Sequence, residues 1–147
     1  MADLNDPCLA CQIVTGAVRP TGGVIARSGG LVLHGFADPS PISGWLVLTS
    51  ARHARALYDL DEAELRELGP FAARVMNAQR QALGAEHVYA IAIGDALLHF
   101  HLHLIPRYAD TPIRLRGRKA FDAAPADALP VERIEEATVR VARALAR

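Results

Sequence analysis

The chain has 147 residues, 51% hydrophobic and 22% charged, with a formal net charge of zero. That length suits one domain with a real core, and the composition excludes a disordered polymer. Balanced charge without a basic block removes the electrostatic footprint of a general nucleic-acid binder, and no apolar run approaches the roughly 18 residues of a membrane span.

The opening residues, Met-Ala-Asp-Leu-Asn-Asp-Pro, are acidic and carry no apolar stretch, so no signal peptide is expected. The expectation is a cytoplasmic protein with no membrane partner. Its two cysteines, Cys8 and Cys11, form a Cys-x-x-Cys. In a reducing compartment that pair points to metal or redox chemistry rather than a structural disulfide.

In chain order, residues 6–15 read as a short helical turn closing at Gly16. Val24–Arg27 and Leu31–Phe36 read as strands joined by a Ser28-Gly29-Gly30 hairpin turn. Asp38-Pro39-Ser40-Pro41 is a rigid loop, and the nearly continuous apolar run of residues 44–49 is a central strand. A long helix follows, capped by Asp59 or Asp61. Leu65, Leu68, Ala72, Val75, Gln79 and Leu83 fall at helical spacing along it. Gly69-Pro70 should kink or split it, and Gly84 should stop it. Val88–Ile93 is a strand, Gly94-Asp95 a tight turn, and Leu98–Ile105 the next strand, which makes an antiparallel hairpin with a short connection. Residues 108–128 show little periodicity and carry Arg114, Arg116, Arg118 and Lys119, as expected of a mobile or partner-facing loop. Val131, Ile134, Thr138, Val141 and Leu145 mark a last amphipathic helix. The result is a single α+β domain with a mostly antiparallel sheet of about five strands and helices on one face.

The chemistry concentrates in Leu98-His99-Phe100-His101-Leu102-His103-Leu104-Ile105-Pro106. On a strand the period of two puts His99, His101 and His103 on one face, about 6.6 Å apart from one to the next at Cα. Pro106 should end the strand or lie on an edge. Three readings compete. A half-buried strand with a solvated polar face fits poorly, because such a face favours Lys, Glu or Thr. A metal site is open, since imidazole is a common metal ligand. So is a nucleophilic imidazole whose neighbours grip a phosphate.

His-apolar-His-apolar-His-apolar-apolar resembles the signature of the histidine triad family of nucleotide hydrolases and transferases, and Leu104-Ile105-Pro106-Arg107 is similar to the family's usual ending. The resemblance runs from Cys8 to about Arg107; residues 108–147 carry no matching motif. It implies a homodimer with a continuous sheet and an active site on the sheet face. His101 then matches the nucleophile that attacks the α-phosphorus of a nucleotide. His103 becomes the phosphate contact and proton donor, and His99 a supporting phosphate-side residue or a metal ligand. A backbone carbonyl commonly fixes the tautomer of such an imidazole. Asp38, three residues before Pro41, matches the acidic residue that accepts from the ribose hydroxyls, although Asp before Pro is also ordinary turn chemistry.

Some members resembling this chain hold zinc on a Cys-x-x-Cys. Cys8, Cys11, His53 and His99 would then make a closed, structural tetrahedral site, a zinc not required for the chemistry. Residues 44–53 resemble the family stretch that runs from Gly-His to Pro-Lys-x-His, with Trp45 in place of the usual His and Ser50-Ala51 in place of Pro-Lys. Before the triad, Gly94-Asp95-Ala96 replaces a polar Gly-Gln-Ser/Thr, so Ala96 offers no donor and Asp95 would repel phosphate unless paired, for example with Arg107. Arg107 and Tyr108 are expected at the site rim. His34 and His87 carry no motif and read as structural. The implied activity is cleavage of a nucleoside phosphoramidate or dinucleoside polyphosphate at the α-phosphorus. The competing classes are a non-catalytic nucleotide- or zinc-binding protein and a metalloenzyme with three histidines around an open metal.

Overall fold

The computed structural model describes residues 7–37 and 39–147. Helix α1 (Leu9–Thr15) ends at Gly16, whose φ of 86° closes it. Strands β1 (Val24–Ser28) and β2 (Leu31–Gly35) form a hairpin around Gly29 and Gly30, at φ 56° and 84°. Two successive positive φ angles make the tight turn whose twist suits a hairpin. Then come β3 (Leu46–Ser50), α2 (Glu62–Leu83), β4 (His87–Ile91), β5 (His101–Arg107) and α3 (Val131–Leu145). The five strands lie in the order β1-β2-β3-β5-β4, and every neighbouring pair is antiparallel.

The register gives the sheet two chemically distinct faces. Leu33, Leu48 and Leu102 line up across β2, β3 and β5. With Leu31, Leu46 and Leu104 they pack under Phe71, Ala72 and Val75 of α2 and Val141 of α3. On the other face, His34, Val47, His103 and Ile91 form one row across four strands, and Val32, Thr49 and His101 form the next. This second face is covered by α1 and by residues 113–127.

Helix α2 is capped by Asp61, whose carboxylate accepts from the Glu64 N–H while the Glu64 carboxylate accepts from the Asp61 N–H. Gly69-Pro70 neither splits nor ends it. Pro70 and Arg66 are both exposed, so the Arg66 carbonyl that the proline cannot serve is open to water. Leu65, the first of the residues at helical spacing, is 47% exposed.

Three other expectations are corrected. β5 begins at His101, so His99 lies in the preceding bend rather than on the strand. Residues 92–100 make a long loop instead of a tight turn, because β4 ends at Ile91, opposite His103. Residues 108–128 are ordered into three 3-10 turns (Ile113–Leu115, Gly117–Asp122, Pro125–Asp127) that bury Leu115 and Ala120 beside Trp45 and Ile105.

Pro106 lies inside β5, opposite Val88. On its other side β3 pairs only as far as Leu104, so the proline occupies a local edge. There the buried Gln79 of α2 stands in for a strand, its Nε2 donating to the carbonyls of Leu104 (3.0 Å) and Gly44 (2.9 Å).

Candidate functional site

Two constellations meet at the start of β5. The first joins Cys8, Cys11, His53 and His99, whose ligand atoms all lie within 4.8 Å of one another. Cys8 caps α1 and its Sγ accepts from the Cys11 N–H, so both sulfurs face the same side of the helix start. Cys11 Sγ is 3.1 Å from His53 Nδ1 and 3.5 Å from His99 Nδ1; Cys8 Sγ is 3.4 Å from His99 Nδ1, and the two imidazole nitrogens are 3.2 Å apart. A tetrahedral zinc with sulfur at ~2.3 Å and nitrogen at ~2.05 Å requires S···N edges of about 3.5 Å and an N···N edge of about 3.3 Å. The four distances of 3.1–3.5 Å lie close to these edges, and the whole set spans no more than 4.8 Å. The fully buried His99 donates its Nε2–H to the Ser50 carbonyl at 2.7 Å, which leaves the Nδ1 lone pair directed into the cluster.

The backbone around His99 is also fixed. The Phe100 N–H donates to the Ala54 carbonyl, and the Ser50 N–H donates to the Phe100 carbonyl. The His99 ring meets Cys8 and Cys11 at the start of α1, the helix that covers the same sheet face as His101 and His103, while Phe100 packs with Leu102 and Leu68 on the opposite side. The reading of three histidines around one open metal is thereby corrected: His99 belongs to a four-ligand cluster.

The second constellation lies in a cavity of about 530 Å³ on the sheet face opposite α2, lined by His34, Thr49, His101 and His103 and walled by apolar residues of α1, Phe36 and Phe121. His101 donates its Nδ1–H to the carbonyl of His99 at 2.6 Å. Its Nε2 then carries the lone pair. The neighbouring ring of His103, 5.1 Å away between centroids, accepts at Nδ1 from the indole N–H of Trp45 at 3.1 Å. Burial pushes the His103 imidazole down to about 3, with His101 and His34 adding to the shift. Phe36 stacks on Trp45 at 4.0 Å, and Phe121 meets both Trp45 and His103 edge to face.

His34, read from sequence as structural, faces the cavity. Its Nδ1–H donates to the Gly35 carbonyl, and its Nε2 accepts from the Thr49 hydroxyl, both at 2.7 Å. Burial pushes it down to about 4. Alternation along Leu31-Val32-Leu33-His34 put His34 on the face opposite Leu33, but only the cross-strand register places it in the row of His103.

Asp95 and Ala96 line the cavity, and no lysine or arginine is among its described lining residues. Arg107 does not pair with Asp95. It lies at the far end of β5, opposite His87, and donates to the Tyr89 hydroxyl. Tyr108 donates to the Ser43 carbonyl, and neither Arg107 nor Tyr108 lines the cavity. His87 is exposed and packs edge to face on Tyr89. The ribose contact expected of Asp38 lies outside the described residues.

No protein-family model and no curated protein matches the sequence. Solved structures do. A Hit-like protein involved in cell-cycle regulation from Bartonella henselae, solved with an unknown ligand, is 17% identical with a TM-score of 0.71, over 98% of this chain and 99% of that one. A hypothetical histidine triad nucleotide-binding protein from Sulfolobus tokodaii is 18% identical with a TM-score of 0.72, over 95% and 92%. A zinc-bound histidine triad family protein from Mycobacterium smegmatis is 20% identical with a TM-score of 0.69, over 95% and 94%. With its five-stranded antiparallel sheet and the triad at the start of β5, this chain has the fold of the histidine triad proteins.

Proposed function

We propose that the protein is a nucleotide hydrolase or transferase of the histidine triad type, acting at the α-phosphorus of a nucleoside phosphoramidate or dinucleoside polyphosphate. The observation that carries this reading is the hydrogen bond from His101 Nδ1 to the His99 carbonyl. With Nδ1–H engaged there, the nitrogen of His101 that is open to attack is Nε2, next to His103. The His101 Nε2 lone pair attacks the phosphorus, and the bond to the leaving group breaks with its electron pair, the leaving group taking a proton from solvent water. The nucleotidyl-imidazolium that results keeps its Nδ1–H on the His99 carbonyl, a charge-assisted contact stronger than in the resting state. His103 donates its Nε2–H to a phosphate oxygen. Water then attacks the same phosphorus, gives up a proton to solvent, and frees His101 as the neutral ring.

Cys8, Cys11, His53 and His99 would hold a structural zinc. With four protein ligands its contribution is to fix α1, the loop after β3 and the bend before β5 in place. A homodimer belongs to the same reading. Strand β4 pairs only with β5 among the described strands, so its outer edge is open to a second copy.

The Asp95-Ala96 pair supports a second reading, a non-catalytic nucleotide- or zinc-binding protein, because Ala96 brings no donor to the phosphate side of the cavity. The test is incubation with a nucleoside phosphoramidate or a dinucleoside polyphosphate, acid-free quenching and mass spectrometry of the intact chain. A nucleotidyl adduct on His101 is expected. Nucleotide binding with neither adduct nor turnover establishes the second reading instead.

A further inference from the structure

Two neighbouring histidines of the cavity, His101 and His103, hold their protons on opposite nitrogens, for different reasons. A backbone carbonyl can only accept, so the His99 carbonyl requires a proton on His101 Nδ1. An indole can only donate, so Trp45 requires a lone pair on His103 Nδ1. We infer that Trp45 is a positioning residue of the site: its buried N–H holds His103 as the Nε2–H tautomer and thereby sets which neighbour of His101 presents a donor to a bound phosphate. The inference rests on the reading of His103 as the phosphate contact, but the tautomer itself does not depend on turnover.

Trp45 is placed to do this. It is 2% exposed and stacked on Phe36 with an interplanar angle of 3°, and Phe121 closes on its other side. The indole plane is thus held by aromatic contacts rather than by the hydrogen bond. A protonated His103 would carry a proton on both nitrogens and point one of them at the indole N–H, donor against donor. Trp45 therefore opposes the imidazolium as well as the wrong tautomer. The titratable groups that line the same cavity are His34 of β2, His101 of β5 and Asp95 of the β4–β5 loop; residues 117–122 contribute only Phe121 to it. His103 is in consequence a standing hydrogen-bond donor rather than an acid that gives up its proton, since a neutral imidazole N–H is a very weak acid. The role expected from sequence, proton donor to the leaving group, narrows to holding the phosphate.

Long-range proton–nitrogen NMR of the full-length protein, without ligand, tests this. In the wild type at pH 7, His103 is expected to be protonated at Nε2 and unprotonated at Nδ1. Trp45→Phe keeps an aromatic ring against Phe36 and removes the donor together with part of the indole's volume. It should populate the Nδ1–H form, shifting the tautomer ratio by about tenfold, the scale of one ordinary hydrogen bond. It should also move imidazolium formation at His103 to higher pH and give the pH profile of phosphoramidate turnover a new acidic limb. A wild-type His103 protonated at Nδ1 overturns the inference, and this measurement needs no variant. An unchanged tautomer and titration in folded Trp45→Phe overturns it as well. A nucleotidyl adduct on His101 combined with either result would leave the proposed function standing and remove only the role of Trp45.

Discussion

The carbonyl of His99 accepts from the Nδ1–H of His101 at 2.6 Å, while the His99 imidazole reaches the sulfurs of Cys8 and Cys11. One residue thus belongs to both constellations: its side chain to the Cys/His cluster, its backbone to the cavity. Moving the His99 ring moves the group that sets the tautomer of His101. A misplacement of about 1 Å at such a site can cost 100-fold in rate.

The cluster should therefore matter to stability and turnover together. Purified protein is expected to carry about one zinc per chain, the stoichiometry of a four-ligand site. Cys8→Ser should lower both the zinc content and the melting temperature, the latter by about 5–10 °C, equivalent to a few kcal/mol in a domain of this size. Elemental analysis and thermal unfolding check this. Metal-free protein with an unchanged melting curve would show that the four residues are only packed together.

His101→Ala should fold normally, because Leu102 and Leu104 on the opposite face are untouched. Turnover should fall by at least ~10²-fold, since no other ring stands where the attacking nitrogen was. His103→Ala should bind phosphate esters more weakly and still form the adduct on His101. Steady-state kinetics and circular dichroism of the two variants separate these effects, and an unimpaired His101→Ala enzyme would remove the proposed chemistry.

Stability should depend on pH through the two buried histidines. Both are pushed down by burial, His34 to about 4 and His103 to about 3. Below the unfolded value near 6.5 the unfolded chain takes up protons that the folded chain refuses, so stability falls with falling pH. The slope is about 1.4 kcal/mol per pH unit for each histidine. The loss begins near pH 6.5 and ends, for each, at its folded value. Denaturant unfolding between pH 8 and pH 4.5 checks this, and His34→Gln should flatten the curve. A curve that is level over that range in the wild type would contradict the burial of neutral rings.

Gln79 gives a prediction about the fold alone. Its amide donates to the carbonyls of Gly44 and Leu104 where β3 no longer reaches β5. Gln79→Leu keeps the volume, removes the amide donor from both carbonyls, and removes the buried Oε1 that has no partner. The expected cost is about 2–3 kcal/mol, read as a melting temperature about 5–10 °C lower. A loss below about 0.5 kcal/mol would mean that water reaches the two oxygens.

Much of this could be read from residue order. The hairpin at Gly29-Gly30, the stops at Gly16 and Gly84, the cap of α2 and the antiparallel strands follow from turn chemistry and periodicity, which act over a few residues. The sequence also determined that His101 and His103 share a face, because both lie on β5. It could not determine that β5 stops short of His99, whose ring joins the Cys/His cluster. Where β5 begins is set by β3, whose Thr49 meets His101 and whose Ser50 carbonyl accepts from the His99 ring. Pro70 broke no helix because its lost bond opened to water, and residues 108–128 found their order only against Trp45 and Ile105. His34 and Trp45 became site residues in the same way. His34 is one ordinary position on β2 and Trp45 the residue just before β3, and only the packing of β2, β3 and β5 brings both to His103. Local chemistry chooses the element; contacts between residues far apart in the chain choose the site.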